Sequence, residues 1–391
     1  MNYKIPFSGR SHKFLESEIS AVTELMRSDL NLTQGAHLNQ FEANFRKYFS
    51  ANNAFAVNNA TSALEIIAEI FNLNEDDEII IPAHTFTSTA YPFLKRKAKP
   101  VWCDIDLQTR VITAETISNC ISPRTKAIIV VHLYGYVAEM DEIQKIAEEN
   151  NIILIEDAAQ SIGAKYKDQY SGAIGDFGVF SFHSAKNITT LGEGGMLTVK
   201  DNKLAELIPM IRHNGGCLYE RQPNEDYWIP AMSNVDLPGN LESNFWPGNY
   251  CIGEAESLLG SLLLKRLSQI NNHKRNRALQ FIDELASFEQ IRFHRVADER
   301  HNYHQLSAML LDNQRDKFIR TISRDYGIQC IVQYQPLNRY PFYEKLGFGE
   351  ANCPNSDKFF DNMVSFPFHS WMTNNDFEYM IEATKKVLVS I

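Results

Sequence analysis

The chain lacks most of the marks that would place it at once. Its six cysteines form no CxxC pair, and no histidine cluster stands at metal-ligand spacing, which excludes zinc-ribbon and thioredoxin-type sites. Scattered as Cys103, Cys120, Cys217, Cys251, Cys330 and Cys353, the thiols read as reduced side chains of a cytoplasmic protein. Apolar runs such as IIVV and IILI are far shorter than the roughly 20 residues a bilayer span needs, so no membrane association is expected. The opening MNYKIPFSGRSHKF has no apolar core of signal-peptide type. Basic residues are in deficit: the formal net charge is −10, which argues against a nucleic-acid partner. Repeats, low-complexity tracts and charge blocks are absent. No GxGxxG opens a helix after an early strand, because LGEGG comes late and starts no βαβ unit, so a nicotinamide or flavin dehydrogenase is not expected.

What is present is a pattern. From residue 55 to 200, short β-branched runs alternate with amphipathic stretches. The runs are DEIIIPAHTF, KPVWCDID, TKAIIVVHLYG, NIILIEDAAQ, FGVFSFH and GGMLTV, and between them lie SALEIIAEIF and MDEIQKIAEEN. Near-continuous Val/Ile strands separated by helices predict a mainly parallel sheet covered on both faces. Such sheets bind ligands beyond their strand C-termini. From Asn202 to Asn244 the pattern weakens, and CLYERQPNEDYWIPAMSNVDLPGNLESNFWPGN, rich in Pro, Asn and aromatics, is read as a long ordered loop. IGEAESLLGSLLLKRLSQINNHKRNRALQFIDELASF follows as one long helix or two joined helices. FHRV, HNYHQLSAML and QCIVQYQP then suggest a smaller α/β unit. The expected division is 1–245 for a large domain and 246–391 for a small C-terminal one.

Three stretches carry chemistry. In IILIEDAAQ an acidic pair ends an apolar strand, and Asp157 is either a helix N-cap with an exposed neighbour or a carboxylate aimed at a cationic ligand atom. Lys186, in FHSAKNITTLGEGGML, is a lone lysine in apolar surroundings, where an ammonium is costly unless paired or chemically used. A lysine there can have its pKa lowered enough to form imines. Pyridoxal phosphate chemistry needs both groups, a lysine to hold the aldehyde and a carboxylate to keep the ring nitrogen protonated. NNATSALEII supplies the third stretch, a helix N-terminus suited to an anion, although capping by Thr61 or Ser62 alone would also account for it. Phe86, just after a strand in PAHTFTSTAYPF, is either core or a stacking surface for a flat ring.

NNATSAL, IPAHTFTSTA, IEDAAQSIGA, GDFGVFSFHSAKNITTLGEGGML and PGNYCIGEAESLLGSLLLKRL resemble the DegT/DnrJ/StrS family of pyridoxal-phosphate sugar aminotransferases over nearly the whole chain. The resemblance implies a fold-type I aminotransferase, α/β, working as a homodimer with active sites at the subunit interface. It implies that Lys186 binds the cofactor covalently and later carries protons, and that Asp157 pairs with the pyridine nitrogen. Gln160 would lie near the ring hydroxyl and Phe86 against the ring. The Thr61 and Ser62 amides and the Ser181 hydroxyl would hold the phosphate, with Asn249 reaching the site of the other subunit. Glutamate is the implied amino donor and a keto or aldehyde sugar the acceptor. Relatives that dehydrate carry histidine at the lysine position, so Lys186 implies transamination.

Two departures bear on the substrate. Cys251 stands where the family usually has arginine, and Gln333 and Asn338 stand where it usually has histidines. An uncharged thiol gives no bidentate clamp for an anion, which leaves Arg212 or Arg339 to bind a carboxylate, unless both are ordinary surface arginines. His183 is a further substrate-side candidate. HTFTSTAYPF, DYWIPAMSNVD and NYC resemble a branch that converts an oxidised octulosonate to 8-amino-3,8-dideoxy-manno-octulosonate for lipopolysaccharide. The alternatives are amination of a nucleotide-linked 3- or 4-keto-deoxyhexose and, remotely, a non-catalytic regulator of the same fold.

Overall fold

A computed structural model describes residues 3–11, 13–215 and 245–391. Seven strands form its main sheet: β1 (Asn53–Val57), β2 (Glu78–Pro82), β3 (Lys99–Cys103), β4 (Thr125–Val131), β5 (Ile153–Asp157), β6 (Phe177–Ser181) and β7 (Gly195–Val199). Their order is β1-β7-β6-β5-β4-β2-β3. Strands β3, β2, β4, β5 and β6 run parallel, and β7 lies antiparallel between β6 and β1. All residues of β2, β6 and β7 are buried, as a sheet covered on both faces requires. The expected α/β architecture is therefore present.

Helices α1 (Glu16–Arg27) and α2 (Ala36–Phe49) precede the sheet, and α3 (Ala60–Ile70) and α4 (Met140–Asn150) lie between its strands. Alternate strand residues face opposite sides, and the two sides have different partners. Phe177, Val179 and Leu197 share a core with Leu64, Ile66 and Ile67 of α3. Phe180, Phe182 and Met196 pack instead with Phe41, Phe45 and Phe49 of α2 and with Leu259 and Leu263 of α5 (Glu254–Leu264). Spacing of four places the three phenylalanines on one helix face, with Phe45 stacked on Phe49 at 4.2 Å. Gly260 allows α5 to approach this closely, since a Cβ there would lie 2.6 Å from the Phe41 ring.

The long helical segment resolves into two helices, α5 and α6 (Leu267–Glu284). Beyond them β8 (Ile291–Phe293), β9 (Leu306–Leu310) and β10 (Met363–Phe366) form an antiparallel sheet in the order β8-β9-β10. It packs under α7 (Arg315–Tyr326) and α8 (Asn374–Ser390). The apolar cores change over inside α6: Leu267 and Ile270 belong with the main sheet, Ala278, Phe281 and Ile282 with the small one. This lies beyond the expected boundary at 245/246, because α5 spends its apolar face on α2. Ile5 also joins the small-sheet core, held by hydrogen bonds with Gly327 and Gln329. Where the strand–helix pattern weakens, ahead of the expected loop, Asn202–Ala205 and Ile208–Arg212 are short helices. Residues 216–244, with Cys217 and DYWIPAMSNVD, lie outside the described residues. Among the described residues no helix is long and apolar enough to cross a membrane.

Candidate active site

Two adjacent carboxylates end β5, and strand alternation sends them to opposite faces. Glu156 is fully buried and accepts from the amides of Gly172 (2.9 Å), Ile174 (2.7 Å) and Gly175 (2.7 Å), with His132 Nε2 at 2.8 Å. It is a structural anchor for the 172–175 turn, not the exposed neighbour the sequence suggested. Asp157 faces the C-terminal end of the sheet. Thr89 Oγ1 donates to its Oδ2 (2.9 Å) and the Ala159 amide to its Oδ1 (3.1 Å). No helix starts after Asp157, so it caps none. Both hydrogen-bond partners are neutral, and among the described residues Asp157 makes no ion pair within 4 Å. A buried carboxylate with only neutral donors suits a cationic ligand atom.

Lys186 sits on the loop after β6, in a turn closed by its amide donating to the His183 carbonyl at 2.8 Å. The N-terminal segment clamps this loop: the Ser11 amide donates to the Ser184 carbonyl (3.0 Å), and Ser184 Oγ to the Gly9 carbonyl (2.7 Å). Burial lowers the Lys186 pKa from 10.5 to about 8, the Asp157 charge opposing that fall. The amine therefore carries a far larger neutral fraction at physiological pH than an ordinary lysine, and it is still partly accessible. His183, beside it, is half-buried, its Nε2 3.9 Å from Glu193 Oε1.

Gln160 is fixed from two sides. Its Oε1 accepts from the Tyr134 amide (2.7 Å) and its Nε2 donates to the Tyr334 hydroxyl (3.2 Å). Tyr134 is buried with φ +59°, a left-handed backbone that a bulky residue adopts only under compulsion. Its hydroxyl donates to the Gln333 carbonyl (2.6 Å), so the hydrogen shared with His84 Nε2 (2.8 Å) belongs to the imidazole. Burial, with Arg110 adding to it, lowers His84 to about 3 and keeps it neutral. Phe86 is 51% exposed and meets Tyr334 edge to face, ring centroids 5.7 Å apart. It is not core.

The N-cap of α3 is Asn59, whose Oδ1 accepts from the Ser62 amide at 2.8 Å. Neither Thr61 nor Ser62 fills that role, and the Ser62 hydroxyl bonds Asn58 Oδ1 at 2.5 Å. The first amides of a helix have no intrahelical acceptor, which leaves those of Ala60 and Thr61 for a ligand. Ser181 pairs with Gly195 across β6 and β7. A Cβ on Gly195 would lie 2.5 Å from the Asn59 backbone, so glycine brings this pair against the α3 N-terminus. Asn249 is exposed, while its neighbour Tyr250 accepts from the Asn58 amide at 2.9 Å. Together these residues fit pyridoxal phosphate: a helix N-terminus for its phosphate, an unpaired carboxylate for its ring nitrogen and a lysine of lowered pKa for its aldehyde.

Neither arginine is available as a carboxylate clamp. Arg212 is buried, paired to Glu42 (2.5 Å) and donating to the Ala56 carbonyl (2.8 Å). Arg339 is paired to Asp361 (3.0 Å) and Asp357 (3.2 Å). Cys251 faces the Arg212 carbonyl at 3.6 Å, and burial pushes its thiol up. Sequence reasoning missed Thr89, Tyr134, Tyr334 and His84. Tyr134 and His84 lie three and two residues past the ends of β4 and β2, where strand C-termini could have flagged them. Nothing local marks Tyr334.

Comparison with known proteins agrees. The family model for DegT/DnrJ/EryC1/StrS aminotransferases matches residues 13–385. The chain belongs to that family. It is 30% identical over 381 residues to GDP-perosamine synthase of Caulobacter vibrioides, covering 95% of this chain and 96% of that one. An aminotransferase from Psychrobacter cryohalolentis superposes with a TM-score of 0.88 at 28% identity, over 99% of this chain and 100% of the other. Spr1654 of Streptococcus pneumoniae, in its PLP form, gives 0.84 at 26% identity over 99% of both chains. This member of the DegT/DnrJ/EryC1/StrS family is thus a PLP-dependent sugar aminotransferase with the fold of PLP aminotransferases, and pyridoxal phosphate is its cofactor.

Proposed function

We propose that Lys186, Asp157, Gln160, Phe86, Ser181 and the α3 N-terminus form the catalytic centre, and that it moves an amino group from glutamate to an oxidised octulosonate. The observation that carries the site is the pairing of Lys186, its pKa lowered by burial, with an ion-pair-free Asp157 at adjacent loop and strand ends. Bound pyridoxal phosphate supplies an electron-withdrawing ring that acidifies the C–H bond beside the transferred nitrogen. The protein does the rest. Asp157, held by Thr89 and the Ala159 amide, keeps the ring nitrogen protonated. Gln160, its Oε1 held by the Tyr134 amide and its Nε2 by the Tyr334 hydroxyl, would serve the ring hydroxyl. Phe86 covers one ring face. The amides of Ala60 and Thr61, the dipole of α3 and the Ser181 hydroxyl bind the phosphate. The Lys186 amine would hold the cofactor aldehyde and, when free, would serve as the base and acid that carries the proton of the transfer. Overall, glutamate loses its amine to become a 2-oxo acid, and the sugar carbonyl becomes an amine.

The octulosonate acceptor, with a role in lipopolysaccharide synthesis in the cytoplasm, is favoured by the HTFTSTAYPF and NYC segments. A nucleotide-linked keto-deoxyhexose is the second reading, favoured by the GDP-perosamine synthase relative and by the internal pairing of Arg212 and Arg339, which leaves neither for a sugar carboxylate. Adding each aminated product to the yellow holoenzyme and following the cofactor spectrum separates the two. Conversion by the 8-amino octulosonate alone supports the first reading; conversion by nucleotide-linked amino sugars alone refutes it. A homodimer completes the proposal, with Asn249 serving the neighbouring site. The exposed apolar run Leu15, Ile19, Met26, Leu30 and Leu32 supports such an interface.

A further inference from the structure

Beneath the Lys186 turn lies a polar cluster that the proposed chemistry does not use. Lys274 of α6 is 1% exposed. Its Nζ donates to Asn187 Oδ1 (3.0 Å) and to the His304 carbonyl (2.8 Å), and stands 5.1 Å from the Phe368 ring centroid. Among the described residues it has no carboxylate partner within 4 Å. Asn187 is equally buried. Its Nδ2 donates to Asn271 Oδ1 (2.8 Å), and its Oδ1 is 3.4 Å from His304 Nδ1. Asn302 joins through its Oδ1, which accepts the His304 amide (2.9 Å), while Asn271 Nδ2 and Asn302 Nδ2 both donate to the Ile162 carbonyl (2.9 and 3.0 Å). The cluster therefore ties the residue next to Lys186 to α6, to the 302–304 segment and to the turn after Asp157.

An ammonium buried without a counter-ion carries a heavy desolvation cost. A methionine would fill the same volume without it, so stability alone does not account for a lysine here. Both hydrogen bonds of the ammonium lead to Lys186: Asn187 is its chain neighbour, and His304, whose pKa burial lowers most, also feels the charges of Lys186 and Lys274. The remaining titratable groups facing the cluster are His183 on the lysine loop, His301 ahead of β9 and His369 ahead of α8. Asp157 faces Lys186 from β5.

We propose that Lys274 is a positioning residue for Lys186, its Nζ pinning Asn187 so that the Lys186 turn holds the amine at the cofactor. This inference builds on Lys186 as the cofactor-binding lysine.

The test compares Lys274→Met and Lys274→Gln with the wild-type holoenzyme, the glutamine retaining an N–H donor for Asn187. For Lys274→Met, kcat falls about tenfold with KM for glutamate within about twofold, and the pH midpoint of the visible cofactor band moves. Lys274→Gln recovers most of kcat. Wild-type kcat and wild-type band midpoint in Lys274→Met would overturn the proposal, as would equal loss in both variants. Should Lys274→Met not fold, the glutamine variant decides: kcat within about threefold of wild type supports the inference, and a tenfold or greater loss in a protein with unchanged melting refutes it. Absence of any cofactor band in the wild-type protein would count against the active-site reading itself, which separates the two failures.

Discussion

Removing the cofactor exposes the property of Lys186 on which the site depends. Burial sets the amine near pKa 8 instead of 10.5. At pH 7 that leaves about one amine in ten neutral, against about one in three thousand for an ordinary lysine, a ratio of about 300. Only the neutral amine attacks an aldehyde, so capture of added pyridoxal phosphate by the stripped protein should track that fraction. Stopped-flow absorbance across neutral to alkaline pH measures it directly. The expected rate constant rises with pH and is half-maximal near pH 8. Asp157→Asn sharpens the case, because the Asp157 charge raises the Lys186 pKa. Without it the midpoint moves to lower pH and capture at neutral pH becomes faster, even though turnover is lost with the ring-nitrogen partner. A midpoint near 10.5, or an upward shift in Asp157→Asn, would refute the assignment of the lowered pKa to burial opposed by that carboxylate.

Other consequences concern side chains whose surroundings decide their role. Arg212→Met strands Glu42, which is also buried, and should cost about 3–5 kcal/mol in chemical denaturation while the KM for the sugar stays unchanged. Arg339→Ala removes pairs at a partly exposed surface, so less than about 1 kcal/mol is expected, again with KM unchanged. A tenfold rise in sugar KM for either would restore it as a substrate ligand. Thr89→Val takes one donor from Asp157 and should lower kcat about tenfold, equivalent to about 1.4 kcal/mol, without changing the melting temperature; an unaltered kcat contradicts a positioning role for that hydroxyl.

Strand content was legible where the sheet is buried on both faces, since β2 to β7 each lie within or overlap a Val/Ile/Phe run. β1, NAFAV, escaped notice because two small alanines give a weak apolar signal and its burial comes from Phe45 and Phe49 of α2. α4 was legible from MDEIQKIAEEN, whose apolar residues repeat at helical spacing. QCIVQYQP was misleading: it makes only one isolated bridge, Ile331 to Ser365, and gives the Gln333 carbonyl and Tyr334 hydroxyl to the Tyr134 and Gln160 network. At the site, Asp157 and Lys186 stood out because charge in an apolar run is rare. The roles of the arginines were not legible, since Glu42 is 170 residues from Arg212 in sequence and only the fold joins them. The same holds for Lys274 and Asn187, which are 87 residues apart.

The most direct test of the central claim is borohydride reduction of the purified yellow protein followed by peptide mass mapping. The account predicts one added pyridoxyl phosphate per chain, located on Lys186, and none in Lys186→Ala. Cofactor fixed on a different lysine, or a Lys186→Ala protein that still transaminates at the wild-type rate, would contradict it.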